Sequence, residues 1–121
     1  MNQQEEFLNA YIAAALWSTN DESTEEGGYP LDENYDETDL AEETRQSMKE
    51  DCEKFFHAHY DDIEENVSQA GHDFWLTRNG HGAGFWCHEE YWTDEVGKRL
   101  TKACEKWGEV YLYVGDGKIY E

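Results

Sequence analysis

Residues 71–86 have the sequence GHDFWLTRNGHGAGFW, and this stretch decides the predicted fold. At its centre lies Asn79-Gly80, a pair typical of type I′ turns, which need φ > 0 at both central residues. A hairpin closed by this turn places Trp75 across the bare backbone of Gly84. Because side chains alternate along a strand, one face then holds the apolar residues: Phe74, Leu76, Ala83 and Phe85. We therefore predict a β-hairpin here.

Hydrophobic residues recur at helical spacing in three other segments. They predict a first helix over residues 3–19 and a long second helix from about 38 to 66. A third helix begins at Thr93, which can cap it, and ends at Gly108. Residues 20–37, between the first two helices, lack periodicity and predict an exposed loop.

A second hairpin is predicted near the end of the sequence. Residues 110–114 and 118–121 are strand-like, and Asp116-Gly117 between them favours another type I′ turn. The predicted fold class is α+β, a four-stranded, mostly antiparallel sheet of two hairpins packed with three helices. The 121 residues predict a single domain, with an acidic helical half over 1–67 and a hairpin-helix-hairpin half over 68–121.

The chain is strongly acidic, with 29 Asp and Glu against 9 Lys and Arg and a formal net charge of −20. The segment from Asp21 to Glu65 holds 18 of the acidic residues and three basic ones. Nucleic acid and anionic membranes are poor partners for such a surface, whereas basic proteins are good ones. Three cysteines without regular spacing and the absence of a long apolar run predict a reduced, soluble, cytoplasmic protein.

The second helix is predicted to be amphipathic. Its apolar side faces the core, and acidic residues fall within about 60° of a line on the opposite side. Ordinary solvated faces mix charges of both signs, because like charges at i, i+4 oppose each other. The acidic side is therefore a candidate partner-binding surface, formed by Asp39, Glu43, Glu50, Glu53, Asp61, Glu64 and Glu65.

The sequence does not predict a metal site. Asp32, Asn34, Asp36 and Glu43 match calcium-loop spacing, but Glu37 stands where that loop needs glycine. The histidines and cysteines that could bind zinc show no spacing typical of such sites: His72, His81, Cys87, His88 and Cys104.

Catalytic residues and cofactors are not predicted either. No nucleophile lies in an elbow motif, and the glycines at 80, 82 and 84 do not open a helix as a phosphate loop would. The sequence therefore predicts a protein that is not an enzyme.

The motif at 71–86, followed by a helix and by VGDGKIY at 114–120, resembles a group of small acidic proteins encoded by bacteriophages. The resemblance covers about residues 68–120. It implies a phage origin and a location in the host cytoplasm, and it assigns no catalytic residues.

The leading functional hypothesis is a phage-type inhibitor. Its acidic surface would imitate nucleic acid and occupy the binding groove of a basic host protein such as a nuclease, restriction complex, CRISPR effector, polymerase or repressor. The alternative is a structural or housekeeping phage protein whose charge only keeps it soluble. A small hydrolase or metal-binding protein ranks third.

Overall fold

The computed structural model describes residues 2–23 and 28–121. These residues form four α-helices and two short antiparallel sheets. The helices are α1 (Gln3–Ser18), α2 (Glu42–Ile63), α3 (Val67–Arg78) and α4 (Asp94–Cys104). The strands are β1 (Asn20–Asp21) with β2 (Tyr29–Pro30), and β3 (Tyr113–Gly115) with β4 (Lys118–Tyr120).

The predicted four-stranded sheet packed with three helices is wrong. Each sheet in the described ranges has two strands, and the fold is mostly helical. The predicted hairpin over 71–86 is the source of the error, because its first half belongs to α3 and its second half forms turns. Trp75 therefore does not cross Gly84; its ring is buried in the core and donates from Nε1 to Ser18 Oγ at 2.7 Å.

Helical periodicity explains why residues 67–78 form a helix. Asp73 and Leu76 are buried, and the other buried positions recur at intervals of three and four: Val67, Ala70, Gly71, Phe74, Trp75 and Arg78. Asn79-Gly80 then ends the helix instead of turning a hairpin. Gly80 has φ 68°, His81 N–H donates to Leu76 C=O at 3.0 Å, and Gly80 N–H donates to Thr77 C=O at 3.2 Å. These two bonds form a Schellman motif, which needs glycine for the same reason as a type I′ turn.

Replacing Gly80 by valine is expected to destabilise the protein by about 1–2 kcal/mol, because a β-branched residue is strained at positive φ. Gly82→Val is the matched control, since an added Cβ there meets no atom within 4 Å and its φ is not in the left-handed region. Thermal unfolding followed by circular dichroism measures both. Equal midpoints for the two variants would contradict the assigned helix end.

The core lies where α1 crosses α3 and α2 packs beside them. Gly71 makes the crossing possible, because a Cβ at this position would lie 2.2 Å from the Phe7 carbonyl oxygen. Aromatic rings fill the space around the crossing, with Phe55 stacked on Phe74 at 4.1 Å and Tyr11 edge-on to Trp75 at 5.3 Å. The phenyl rings and Trp75 are buried almost completely.

Several local predictions are confirmed. α1 matches the first predicted helix, and Thr93 caps α4 by accepting from Val96 N–H. The turn between β3 and β4 has φ 51° at Asp116 and φ 78° at Gly117, as type I′ requires. The buried side of α2 includes most of the predicted apolar residues: Met48, Cys52, Phe55, Phe56 and Ile63.

The predicted exposed loop over 20–37 is more ordered than expected. Residues 24–27 of this prediction lie outside the described residues. On either side of them β1 pairs with β2, and Leu31 is buried in the core. No helix in the described ranges is long and apolar enough to cross a membrane.

Candidate protein-binding surface

The seven acidic residues singled out in the sequence lie along α2 and at its two ends; we refer to them as the acidic face. Asp39 precedes the helix in a 3₁₀ turn, Glu64 and Glu65 follow its last residue, and the other four lie on the helix itself. Asp39 and Glu53 are half-buried. The remaining side chains are exposed: Glu43, Glu50, Asp61, Glu64 and Glu65.

The acidic face is not one straight line, as a regular helix from 38 to 66 would make it. Helix α2 spans 22 residues, or about 33 Å at ~1.5 Å per residue, and it is kinked at His59, where φ is −124° and ψ is 18°. His59 is half-buried against Phe55, with ring centroids 4.5 Å apart. Asp61, Glu64 and Glu65 therefore point in directions set by the kink and by the turn that follows.

No side chain of the acidic face takes part in an ion pair with the residues at 2–23 and 28–121. Glu50 accepts a hydrogen bond from Gln46 at 3.1 Å, and Asp39 accepts one from the Asp36 N–H at 2.9 Å. The two lysines of α2, Lys49 and Lys54, are exposed and also lack an ion pair within those ranges. The carboxylates of the face are therefore balanced mainly by solvent.

The arginines pair with acidic residues outside the acidic face. Arg45 lies 3.7 Å from Glu37 and donates to its carbonyl oxygen at 2.7 Å. Arg99 binds both oxygens of Asp62, at 2.9 and 2.6 Å, and this hydrogen bonding holds the pKa of Asp62 below its usual value. These contacts leave the acidic face without a counter-charge from a nearby arginine.

The residues of the apparent calcium loop do not converge. Asp36 caps the 3₁₀ turn at residues 37–39 by accepting from Thr38, while Asp39 reciprocally accepts from Asp36 N–H. These carboxylates are occupied by their own backbone, which is how acidic residues commonly cap a helical turn. Among the described residues, no group of three or more His, Cys, Asp or Glu has an arrangement that could hold a metal ion.

A buried carboxylate, Asp73, joins α3 to the irregular segment before α4. It is fully buried, and Trp92 Nε1 donates to its Oδ2 at 2.8 Å. His88 Nδ1 lies 2.8 Å from its Oδ1, and Gln69 Nε2 donates to the same oxygen at 3.1 Å. His72 Nδ1 lies 3.6 Å away, too far for a direct hydrogen bond. We call this group the Asp73 cluster.

Two opposing effects act on the pKa of Asp73. Burial raises the pKa, whereas the His72 imidazole and the hydrogen bonds from Trp92, His88 and Gln69 lower it; the net result lies below the usual value. Asp73 is therefore a carboxylate at neutral pH and an acceptor for each donor around it.

The Asp73 cluster has one element of a catalytic arrangement, a carboxylate that orients a histidine. Catalysis also needs a nucleophile beside the histidine and a cleft for substrate. His88 does not line any of the five best-defined cavities among the described residues. Burial raises the pKa of the Cys104 thiol to about 12, which makes it a poor nucleophile. The geometry of the Asp73 cluster fits a structural role, in which Asp73 holds α3 against the irregular segment before α4.

Sequence reasoning missed this cluster. The predicted strand placed His72 and Asp73 on opposite faces, whereas on α3 they are consecutive helical residues with Asp73 turned inward. Two of its partners, His88 and Trp92, come from an irregular segment that has no periodicity to reveal them.

Four aromatic residues in or near residues 71–92 differ sharply in exposure. Trp86 and Tyr91 are 54% and 42% exposed, so they could contact a partner. Trp75 and Trp92 are almost fully buried, so they are not available to a partner. Of these four side chains, only Trp86 and Tyr91 could contribute to a binding surface.

Comparison with models of protein families, with curated proteins and with solved structures finds no match to this chain.

Proposed function

We propose that this protein binds a basic, nucleic-acid-binding protein through the acidic face and blocks its nucleic-acid site. In keeping with the phage resemblance of residues 68–120, the partner would be a host protein in the bacterial cytoplasm. The observation that supports the proposal is the unpaired state of the acidic face: seven carboxylates, five of them exposed, without an ion pair among the described residues.

Repulsion among the carboxylates of the acidic face favours binding of a basic partner. Like charges on one helix repel each other and destabilise the folded chain. A partner with complementary positive charge would offset this repulsion, and the relief of the repulsion would add to the free energy of binding. The resemblance to nucleic acid is a row of negative charges: duplex DNA carries a charge per ~1.7 Å of axis, and helical carboxylates at i, i+3 and i+4 lie about 5–6 Å apart. The carboxylates of the acidic face are spaced more widely than the phosphates of DNA, but they carry charge of the same sign.

The mechanism requires no covalent chemistry. The acidic face would attract the partner over about one Debye length, ~10 Å at 0.1 M salt, and then occupy the positively charged groove. Inhibition would be competitive with nucleic acid.

The test neutralises six members of the acidic face while keeping their shape: Glu43→Gln, Glu50→Gln, Glu53→Gln, Asp61→Asn, Glu64→Gln and Glu65→Gln. Partners are captured from host lysate freed of nucleic acid, and binding to the purified partner is measured by surface plasmon resonance. We expect slower association, with the larger effect at low salt, because exposed charges act by steering. The fold should keep or gain stability, since repulsion is removed.

A matched control carries the same number of neutralised charges on exposed residues elsewhere: Glu33→Gln, Glu89→Gln, Glu90→Gln, Glu105→Gln, Asp116→Asn and Glu121→Gln. Its association rate should stay closer to that of the unmodified protein. If both variants bind alike, only the net charge matters. If binding is independent of salt and unaffected by either variant, the acidic face is an ordinary solvated surface and the proposal is wrong.

A further inference from the structure

The β3–β4 hairpin leaves one strand edge open. In a two-residue hairpin the residues that flank the turn, here Gly115 and Lys118, exchange main-chain hydrogen bonds, and the next pair does not. Ile119, in that next pair, indeed directs its carbonyl away from β3 and accepts from Ala41 N–H at 2.9 Å. Its partner Val114 must direct its own N–H and C=O to the opposite edge.

The open edge continues toward residue 111. Side-chain exposure alternates as on a strand: Tyr111 is 72% exposed, Leu112 is 2% exposed and Tyr113 is 49% exposed. Leu112 therefore presents its N–H and C=O to the same side as Val114. Neither residue has a main-chain hydrogen bond on that side to any other described residue.

This edge borders a groove. Two cavities of about 510 Å³ and 220 Å³ share four lining residues and so form one continuous depression along residues 110–114. We call it the edge groove. Its opposite wall is formed by Asn20, Glu22 and Ser23, at β1 and just after it. The motif at residues 71–86 contributes Trp75, Asn79 and His81 to its lining.

Two residues of that motif hold the edge in place. Asn79 accepts from Val110 N–H through Oδ1 at 2.7 Å, and its Nδ2 donates to the Trp75 carbonyl at 2.9 Å. Arg78 donates to the carbonyls of Trp107 and Gly108 at 3.0 and 2.9 Å. The segment that leads into β3 is therefore fixed before any ligand arrives, which lowers the entropy lost on binding.

The negative side chains around the edge groove favour a positively charged ligand. Glu22 and Glu109 line it, whereas neither lysine nor arginine appears among the described residues that do. A second copy of this chain, with its net charge of −20, would be repelled. A segment with lysine or arginine would instead place positive side chains near the two glutamates.

We propose that the edge groove binds an extended basic segment of another polypeptide, which adds as a third strand to β3 along residues 112–114. Main-chain hydrogen bonds to Leu112 and Val114 would supply affinity, and Glu22 and Glu109 would supply the preference for positive charge. None of the acidic-face residues lines this groove. The proposal therefore holds or fails independently of the proposed function.

The probe is a fluorescein-labelled octapeptide of alternating lysine and valine. Its matched control has the same sequence with the strand-pairing amides N-methylated, which keeps the charge but removes the hydrogen bonds. We expect the control to bind at least about tenfold more weakly in fluorescence anisotropy, because strand addition depends on those bonds. Amide hydrogen exchange at Leu112 and Val114 should slow when the unmethylated peptide binds.

Two further variants separate the groove from general attraction to an acidic protein. Glu22→Gln with Glu109→Gln should weaken the unmethylated peptide several-fold, whereas the six-residue neutralisation of the acidic face should leave the ratio between the two peptides unchanged. Equal affinity for both peptides, or exchange at Leu112 and Val114 that the peptide does not slow, would overturn the proposal. So would equally tight binding of an octapeptide of alternating glutamate and valine, or dimerisation of the protein alone in sedimentation.

Discussion

Replacing Arg78 by methionine is expected to lower the free energy of unfolding by about 3–5 kcal/mol, the largest effect of any single substitution considered for this protein. The Arg78 side chain is 4% exposed, and its guanidinium contacts four groups from distant parts of the chain. It binds Asp51 at 2.8 Å and the Tyr11 hydroxyl at 3.2 Å, and it donates to the carbonyls of Trp107 and Gly108. Methionine fills much of the volume but leaves a partly buried carboxylate and two carbonyls without their donor.

Arg78→Lys separates charge from geometry. Lysine keeps the positive charge, but one ammonium cannot reproduce the planar fork that reaches Asp51 and two carbonyls together. We expect it to recover less than half of the loss. Arg99→Met is the matched control, because the Arg99 side chain is 47% exposed, against 4% for Arg78, so water screens its pair with Asp62 far more. Urea denaturation measures all three, and an Arg78→Met loss no larger than that of Arg99→Met would contradict the assigned role.

Asp73→Asn is expected to destabilise the protein by about 2–4 kcal/mol at neutral pH. The amide keeps the shape of the carboxylate but accepts through one atom, and its NH₂ group then faces the donors of Gln69 and His88. Because the pKa of Asp73 is lower in the folded protein, its contribution is complete above the usual carboxyl pKa of about 4. It is lost as the pH falls through the folded value.

Unfolding free energies measured by denaturant titration between neutral pH and about pH 3 should therefore show the two proteins converging in acid. Glu89→Gln, on the same irregular segment but exposed, controls for the loss of one negative charge. Curves for Asp73→Asn and the unmodified protein that run parallel down to the acid end would mean that Asp73 has no special ionisation.

The sequence predicted correctly those elements whose backbone conformation is determined by neighbouring residues in the chain. The periodicity of residues 3–19, the cap at Thr93 and the Asp116-Gly117 turn each determine their own backbone conformation, and the structure confirms them. The helix α2 is shorter than predicted and kinked at His59, a position at which the sequence contains neither proline nor glycine to signal it.

The stretch at 71–86 was mispredicted because one signal fits two structures. Gly80 needs positive φ both in a type I′ hairpin and in a helix-ending Schellman motif. The distinguishing evidence lies upstream, where Val67, Ala70 and Phe74 continue a helical period that begins before the quoted motif. Asn79 has φ −98°, so it does not adopt the conformation that the hairpin would require.

The Asp73 cluster and the edge groove could not be predicted from sequence because both depend on contacts between distant residues. Trp92 reaches Asp73 across 19 positions, and Asn79 reaches Val110 across 31. The residues of the acidic face, by contrast, were identified from sequence alone, because charge and helical phase are local properties. Their role as a contact surface stays a prediction.

The unpaired carboxylates of α2 also have a consequence for the solvent around the protein. Without an ion pair among the described residues, they attract cations such as potassium or magnesium from the solution. Any basic protein that covers them returns those ions to the bulk, and the entropy of their release favours the complex, as it does when proteins bind DNA. Association of this kind weakens steadily with the logarithm of the salt concentration, so the ionic composition of the surrounding medium, as much as the shape of the helix, would determine how tightly it binds.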